Sequence, residues 1–166
     1  MAKYVFEKLP SNAEEFKASP YLDLTNHHNT FAMFIAALSI YVKDEAEGIE
    51  CINVLRGPEP LSSYDKSFLR ERIKDKTYLP MVYFAGSTPD NGYKPLEPFT
   101  INTIDDAAPQ YTAGPDYRRA FVSEKGFDSP RYATMRLKKS EGKWYINEYS
   151  GILTGVRKPA GEDPWD

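Results

Sequence analysis

The apolar run from Phe31 to Val42 constrains the fold of this chain more than any other segment. Its residues recur at helical spacing, and alanines and a second set of apolar side chains fill the opposite side. The pattern predicts a helix that is buried nearly all round. The run is interrupted at Ser39 and is much shorter than the roughly 20 residues that a membrane span needs. We therefore expect a core helix and no membrane partner.

Three further helices are predicted around this one. Ser11 or Asn12 can cap a short helix that ends at Pro20, and the buried helix begins near Asn29 or Thr30. Asp44, followed by Glu47, resembles a capping box for a third helix that stops at Gly57. The second and third helices are expected to form an αα-hairpin. After the stiff connector Gly57–Pro60, Ser62 or Ser63 can cap a fourth helix.

The second half of the chain predicts strands. Candidate strands are Met81–Ala85, Phe99–Ile104 and Tyr117–Ser123, followed by a hairpin of Pro130–Lys139 and Lys143–Ser150 that turns at Glu141-Gly142. If Ser140 pairs with Lys143, Leu137 lies opposite Ile146 and Arg136 opposite Asn147. Helices first and strands afterwards indicate an α+β fold, with the N-terminal helices packed on one face of a C-terminal antiparallel meander sheet.

Composition narrows the class of protein. The 166 residues suit a single domain over 1–166, with 157–166 as an irregular docking tail. The net charge of −3 argues against a nucleic-acid partner. The lone Cys51 excludes an internal disulfide, and Glu7 and Lys8 interrupt what would be the apolar run of a signal peptide. These features lead us to expect a cytoplasmic protein.

Several segments resemble an uncharacterised family of small proteins from Gram-positive bacteria, known as a domain of unknown function. The matching segments are Gly57–Lys66, Thr88–Tyr93, Asp128–Arg131 and Arg157–Trp165. The last of them is the most distinctive. The resemblance implies a complete domain, and it implies no activity, cofactor or catalytic residue.

Asp23, His27 and His28 form the one cluster that suggests a metal or acid–base site. Adjacent histidines rarely face one ion, and the helical spacing of a zinc protease motif is absent. The alternative, which we favour, is that the histidines lead into the buried helix and that Asn29 caps it. Cys51 fits a small core residue better than a nucleophile. We expect no metal and no cofactor, and the catalytic residues, if any exist, are unknown.

The better candidates for binding lie on the hairpin. Its predicted outer side gathers tyrosines and cations, which protein interfaces favour, although a solvated edge hairpin looks similar. A second group lies near Gly114, where Arg118 and Arg119 fall on opposite faces of a strand. For this group we favour the alternative that Arg119 forms a surface ion pair with Glu124 or Asp116. The candidate binding residues are Arg136, Lys138, Tyr145, Asn147, Tyr149, Tyr111, Tyr117 and Arg118, and Trp165 is a candidate interface anchor.

Three functions are compatible with these features. The first hypothesis is a non-catalytic domain that binds a protein or a small molecule through the hairpin or the Tyr-rich loops. The second is a small enzyme with a pocket between helices and sheet, in which His27 or His28 is the acid–base group. The third is a structural protein that forms homodimers, for which the Trp-ended tail is suited.

Overall fold

The computed structural model describes residues 1–108 and 114–165 of the chain. Within them, a strand precedes four α-helices and a 3₁₀ helix, and four more strands and a short 3₁₀ turn follow. The elements are β1 (Ala2–Phe6), α1 (Ala13–Lys17), α2 (His27–Tyr41), α3 (Glu45–Arg56), α4 (Ser63–Ile73), a 3₁₀ helix (Leu79–Tyr83), β2 (Phe99–Asp105), β3 (Tyr117–Val122), β4 (Arg131–Lys138), β5 (Lys143–Glu148) and a 3₁₀ turn (Ser150–Ile152).

The five strands form one antiparallel sheet in the order β1-β2-β3-β4-β5. Buried residues alternate along the strands, so that one face, which we call the inner face, packs against α2. The predicted α+β class, with helices before most strands, is confirmed. β1 was not predicted; it pairs with β2 from Ala2 opposite Thr103 to Phe6 opposite Phe99.

α2 is the centre of the core, as the apolar run predicts. Every residue from Thr30 to Tyr41 is buried, between the inner face of the sheet, α3 and the first 3₁₀ helix. The helix begins at His27 rather than near Asn29, because the Asn26 side chain caps it by accepting the His28 backbone N–H at 2.8 Å. The histidines thus belong to the first helical turn.

The predicted αα-hairpin of α2 and α3 is present. Asp44 caps α3 by accepting the Glu47 N–H, and α3 ends at Gly57, which has a positive φ of 64°. The two helices approach closely at Gly48, where a Cβ atom would lie 2.4 Å from the Cα of Tyr41.

The segment Met81–Ala85, predicted as a strand, instead lies mostly in the 3₁₀ helix Leu79–Tyr83. Pro80 occupies its first turn, where the missing N–H costs nothing. A short apolar run of this length does not distinguish a strand from a buried helical turn. Tyr83 is fully buried and donates a hydrogen bond to the carbonyl of Ile152 at 2.6 Å.

The β4–β5 hairpin is confirmed, but its predicted register is wrong by two residues. Lys138 pairs with Lys143, and Arg136 pairs with Tyr145 instead of Asn147. The loop has four residues, and its Gly142 adopts a positive φ of 65°. An irregularity between Thr134 and Met135 then shifts the pairing again, so that Glu148 lies opposite Thr134.

The C-terminal segment packs on its own chain as far as Ala160. The Arg157 N–H donates to the Gly126 carbonyl at 2.8 Å, and the Ala160 N–H donates to the Pro89 carbonyl at 2.9 Å. The Tyr93 hydroxyl bonds the Arg157 carbonyl. Beyond this point Trp165 is 94% exposed. No helix in the described part of the chain has the length and apolar character to cross a membrane.

Candidate functional site

The face of the sheet opposite α2, the outer face, carries a row of three cross-strand neighbours. Tyr117 of β3 pairs with Arg136 of β4, and Arg136 pairs with Tyr145 of β5. We call these residues the Tyr–Arg row. The guanidinium of Arg136 lies 5.6 Å from the centre of the Tyr117 ring, within reach of a cation–π contact. Among the described residues, no hydrogen-bonding or ion-pair partner is found for this guanidinium.

A cleft of about 440 Å³ lies beside the row, between the β4–β5 hairpin and the connector that follows α3. Four of the candidate binding residues line it: Arg136, Lys138, Tyr145 and Asn147. We call it the hairpin cleft. The remaining lining residues are Arg56, Pro58, Glu59, Asp116, Leu137, Lys139 and Ile146.

The connector wall of the hairpin cleft is held by Gly57 and Arg56. The Tyr145 ring packs so closely on Gly57 that a Cβ atom there would lie 2.8 Å from ring carbons. Arg56 donates from Nε to the Glu59 carbonyl at 3.0 Å and from Nη1 to the Asn147 carbonyl at 3.2 Å. Arg56 therefore ties the connector to β5. The sequence identified the connector as stiff, but no local signal placed it against the hairpin.

Most charges around the hairpin cleft are paired internally. Lys139 lies 3.2 Å from Asp116, and Lys138 lies 3.5 Å from Glu141. The Tyr145 hydroxyl donates to the other oxygen of Glu141 at 2.6 Å. Burial, together with this hydrogen bond, raises the pKa of Tyr145 to about 12. The ring therefore stays neutral at physiological pH.

The other candidate residues do not line this cleft. Tyr149 is buried, with its ring centre 5.0 Å from that of Phe34. The irregularity in the hairpin places Glu148 opposite Thr134, so Tyr149 faces the core instead of the outer face. Arg118 lies on the inner-face side, 5.6 Å from the Trp144 ring, and Nη1 donates to the carbonyls of Pro115 and Tyr117. Tyr111 lies outside the described residues.

A second group on the outer face centres on Arg119. Its guanidinium makes two hydrogen bonds to the Asp106 carboxylate, at 2.8 and 2.9 Å, and lies about 5 Å from the rings of Phe121 and Tyr132. The prediction that Arg119 pairs with Glu124 or Asp116 is therefore wrong. The pair is largely buried, and the hydrogen bonds from Arg119 hold the pKa of Asp106 below its ordinary value.

The histidine cluster is built into the packing of α2 against β2. His28 is buried, with Nδ1 2.7 Å from the Thr103 hydroxyl and Nε2 2.9 Å from Asp105. Burial lowers the pKa of His28, which favours a neutral ring that donates to Asp105 and accepts from Thr103.

His27 is half-buried between the rings of His28 and Trp144, and burial lowers its pKa to about 4. Asp23 instead bonds Thr25. In residues 1–108 and 114–165, no three His, Cys, Asp or Glu side chains gather as metal ligands would. Cys51 is a buried core residue, as expected, and burial raises its pKa to about 12.

Comparison with known proteins agrees with the sequence resemblance and adds no activity. No curated protein matches the chain. No solved structure matches it either. A family described as a domain of unknown function matches residues 8–160, which is most of the chain. The chain therefore belongs to the family described as Domain of unknown function (DUF6935).

Proposed function

We propose that this chain is a non-catalytic binding domain whose ligand or partner contacts the hairpin cleft and the Tyr–Arg row. The observation that carries the proposal is the exposed guanidinium of Arg136, which the Tyr117 ring orients at the edge of the hairpin cleft. The described residues provide no counter-ion for it. A guanidinium of this kind is able to bind a planar anion with two hydrogen bonds.

The surroundings of Arg136 favour recognition of a ligand. The hairpin cleft combines apolar side chains with a few polar groups, and its volume falls in the range of small-molecule sites, about 300–1,000 Å³. Tyrosine and arginine are also the residues on which interfaces most depend. The wall is firmly held, because Gly57 contacts Tyr145 and Arg56 bonds β5.

The two alternative functions have less support. An enzyme that uses His28 as its acid–base group would have to break bonds that both ring nitrogens make within the fold. Neither histidine lines the hairpin cleft. A structural role in a homodimer, with Trp165 as anchor, is a separate hypothesis for which the exposed ring is the motivation.

We also propose a cytoplasmic location in a bacterial cell and no nucleic-acid partner. A lone, buried cysteine suits a reducing compartment. The net charge of −3 disfavours binding to a polyanion.

The proposal is tested with four proteins purified from the native host: the wild type, Arg136→Ala, Tyr145→Ala and Arg72→Ala. Arg72 is the matched control, because its exposed guanidinium also lies over an aromatic ring, that of Phe68, but on α4. Native mass spectrometry measures any retained molecule, and quantitative affinity capture measures co-purifying proteins.

We expect a bound species on the wild type and on Arg72→Ala that is lost from both hairpin variants. A species that all four proteins retain equally would refute the proposal, as would the absence of any bound species. Dimer masses in the same spectra test the homodimer hypothesis, since Trp165→Ala should abolish them if Trp165 is the anchor.

A further inference from the structure

The two walls of the hairpin cleft carry unpaired charges of opposite sign. Lys138 and Lys139 face Glu141 and Asp116 at ion-pair distances. Arg56 bonds two carbonyls and lies 3.7 Å from Asp65. The two remaining charged side chains of the lining are Arg136 on the hairpin and Glu59 on the connector. Neither has a counter-ion among the described residues.

We propose that the hairpin cleft binds a small zwitterion of the amino-acid class, either a free amino acid or a short peptide. This inference rests on the proposed binding function and names its ligand. The ligand carboxylate lies against Arg136, and the ligand ammonium lies against Glu59.

The hairpin wall suits a carboxylate. The guanidinium of Arg136 is exposed and is stacked over Tyr117, so less rotational freedom is lost when it forms two parallel hydrogen bonds. The side-chain amide of Asn147, a neighbouring lining residue, has no hydrogen-bonding partner among the described residues and can donate to the same anion.

The connector wall suits an ammonium. Glu59 is exposed, and its backbone is fixed on both sides, because its N–H bonds the Arg56 carbonyl and its own carbonyl accepts from Arg56 Nε. The carboxylate is thus presented from a held segment between Pro58 and Pro60. Proline restricts the backbone on either side, which lowers the entropy lost on binding.

The remaining lining distinguishes a zwitterion from a simple anion. Glu59, the carboxylate of the lining without a counter-ion among the described residues, would repel a phosphate dianion or a dicarboxylate and would attract the ammonium of a zwitterion, whereas Asp116 is already paired with Lys139. Pro58 and Leu137 add apolar surface that an aliphatic side chain of the ligand can cover.

The test is a titration by isothermal calorimetry with four probes: the dipeptide Leu-Leu, its N-acetyl form, its C-terminal amide and inorganic phosphate. We expect Leu-Leu to bind and each blocked form to bind about tenfold more weakly, as expected for losing hydrogen bonds to a charged group. Free leucine serves as a fifth titrant that separates an amino-acid site from a peptide site.

Two variants assign the ends of the ligand. Arg136→Ala should weaken the binding of Leu-Leu about tenfold. Its affinity for the C-terminal amide should be unchanged, because that probe has no carboxylate for Arg136 to bind. Glu59→Gln should weaken Leu-Leu and spare the N-acetyl form. Arg72→Ala should bind every probe as the wild type does.

Absence of binding by both Leu-Leu and leucine at millimolar concentration would overturn the inference, as would equal binding of the blocked probes or tighter binding of phosphate. If the zwitterions fail while Arg136→Ala still loses a species retained from the host, only the identity of the ligand is wrong. If both experiments fail, the proposed function fails with it.

Discussion

Replacing Gly48 with alanine tests how closely α2 and α3 pack. In a helix interior this change normally stabilises a protein by up to about 1 kcal/mol, because glycine has the poorer helix propensity. Here the added Cβ atom would lie 2.4 Å from the Cα, 2.5 Å from the Cβ and 2.8 Å from the N of Tyr41. Two of these three atoms are backbone, so no side-chain rotation relieves the contact.

The steric cost decides the sign of the effect. Overpacking a well-filled core costs about 1–3 kcal/mol, and contact with backbone of the central helix places this site near the upper end. Subtracting the propensity gain leaves a net loss of about 2 kcal/mol. For a chain of this size each kcal/mol lowers Tm by about 2–4 °C, so we expect a fall of about 4–8 °C.

Thermal unfolding by circular dichroism or calorimetry measures the change, with Gly151→Ala as the matched control. Gly151 also lies outside the positive-φ region, and a Cβ there would be 3.6 Å from its nearest neighbour, the Tyr132 carbonyl oxygen. That variant should be unchanged or more stable by about 0.5 kcal/mol. If Gly48→Ala is as stable as the wild type, the close approach of α2 and α3 is refuted.

Two other substitutions probe buried polar groups. Tyr83→Phe should lower the free energy of unfolding by about 1–2 kcal/mol in urea denaturation, because the buried Ile152 carbonyl loses its donor, whereas Tyr64→Phe on an exposed ring (76%) should have no effect. Burial raises the pKa of Glu124 to about 7, above its ordinary value of 4.5. The ionised carboxylate therefore destabilises the folded protein at high pH, and this destabilisation disappears as the pH falls from 7 toward 4.5. Glu124→Gln should therefore stabilise the protein at pH 8 by roughly 1 kcal/mol, a figure reduced for the partial exposure of the side chain, and should have little effect near pH 4.5. Equal stabilisation at both pH values would contradict the raised pKa.

The helix caps and the buried helix are the features that the sequence predicted most accurately. Asn12, Asp44 and Ser62 cap their helices as predicted, and α3 ends at Gly57. These signals depend only on residues three or four positions apart, and the continuous apolar stripe of α2 needs no knowledge of its neighbours.

The hairpin illustrates how an error in register can leave a candidate surface almost intact. A shift of two residues preserves the alternation of faces, so Arg136, Lys138 and Tyr145 still lie together although their partners change. The irregularity beside Met135 was not visible in the sequence, and it moved Tyr149 into the core.

The parts of the candidate site that sequence reasoning missed depend on distant contacts. Gly57 meets Tyr145, and Arg56 bonds the carbonyl of Asn147, across some ninety residues of chain. No periodicity or motif links such positions. The same holds for β1, whose five residues become a strand because β2 offers them an open edge.

Both edges of the sheet make backbone hydrogen bonds to other parts of the chain. At β1, the Tyr21 hydroxyl bonds both the N–H and the carbonyl of Val5, at 3.0 and 3.1 Å. At β5, the Trp144 N–H donates to Leu24 at 2.7 Å, and its carbonyl accepts from Thr30 at 2.6 Å. Because these contacts occupy backbone groups that an added strand would need, binding by strand addition is disfavoured at both edges. If the proposed binding function is correct, recognition therefore uses side chains such as Arg136, whose exposed guanidinium lies beside the Tyr117 ring at the hairpin cleft.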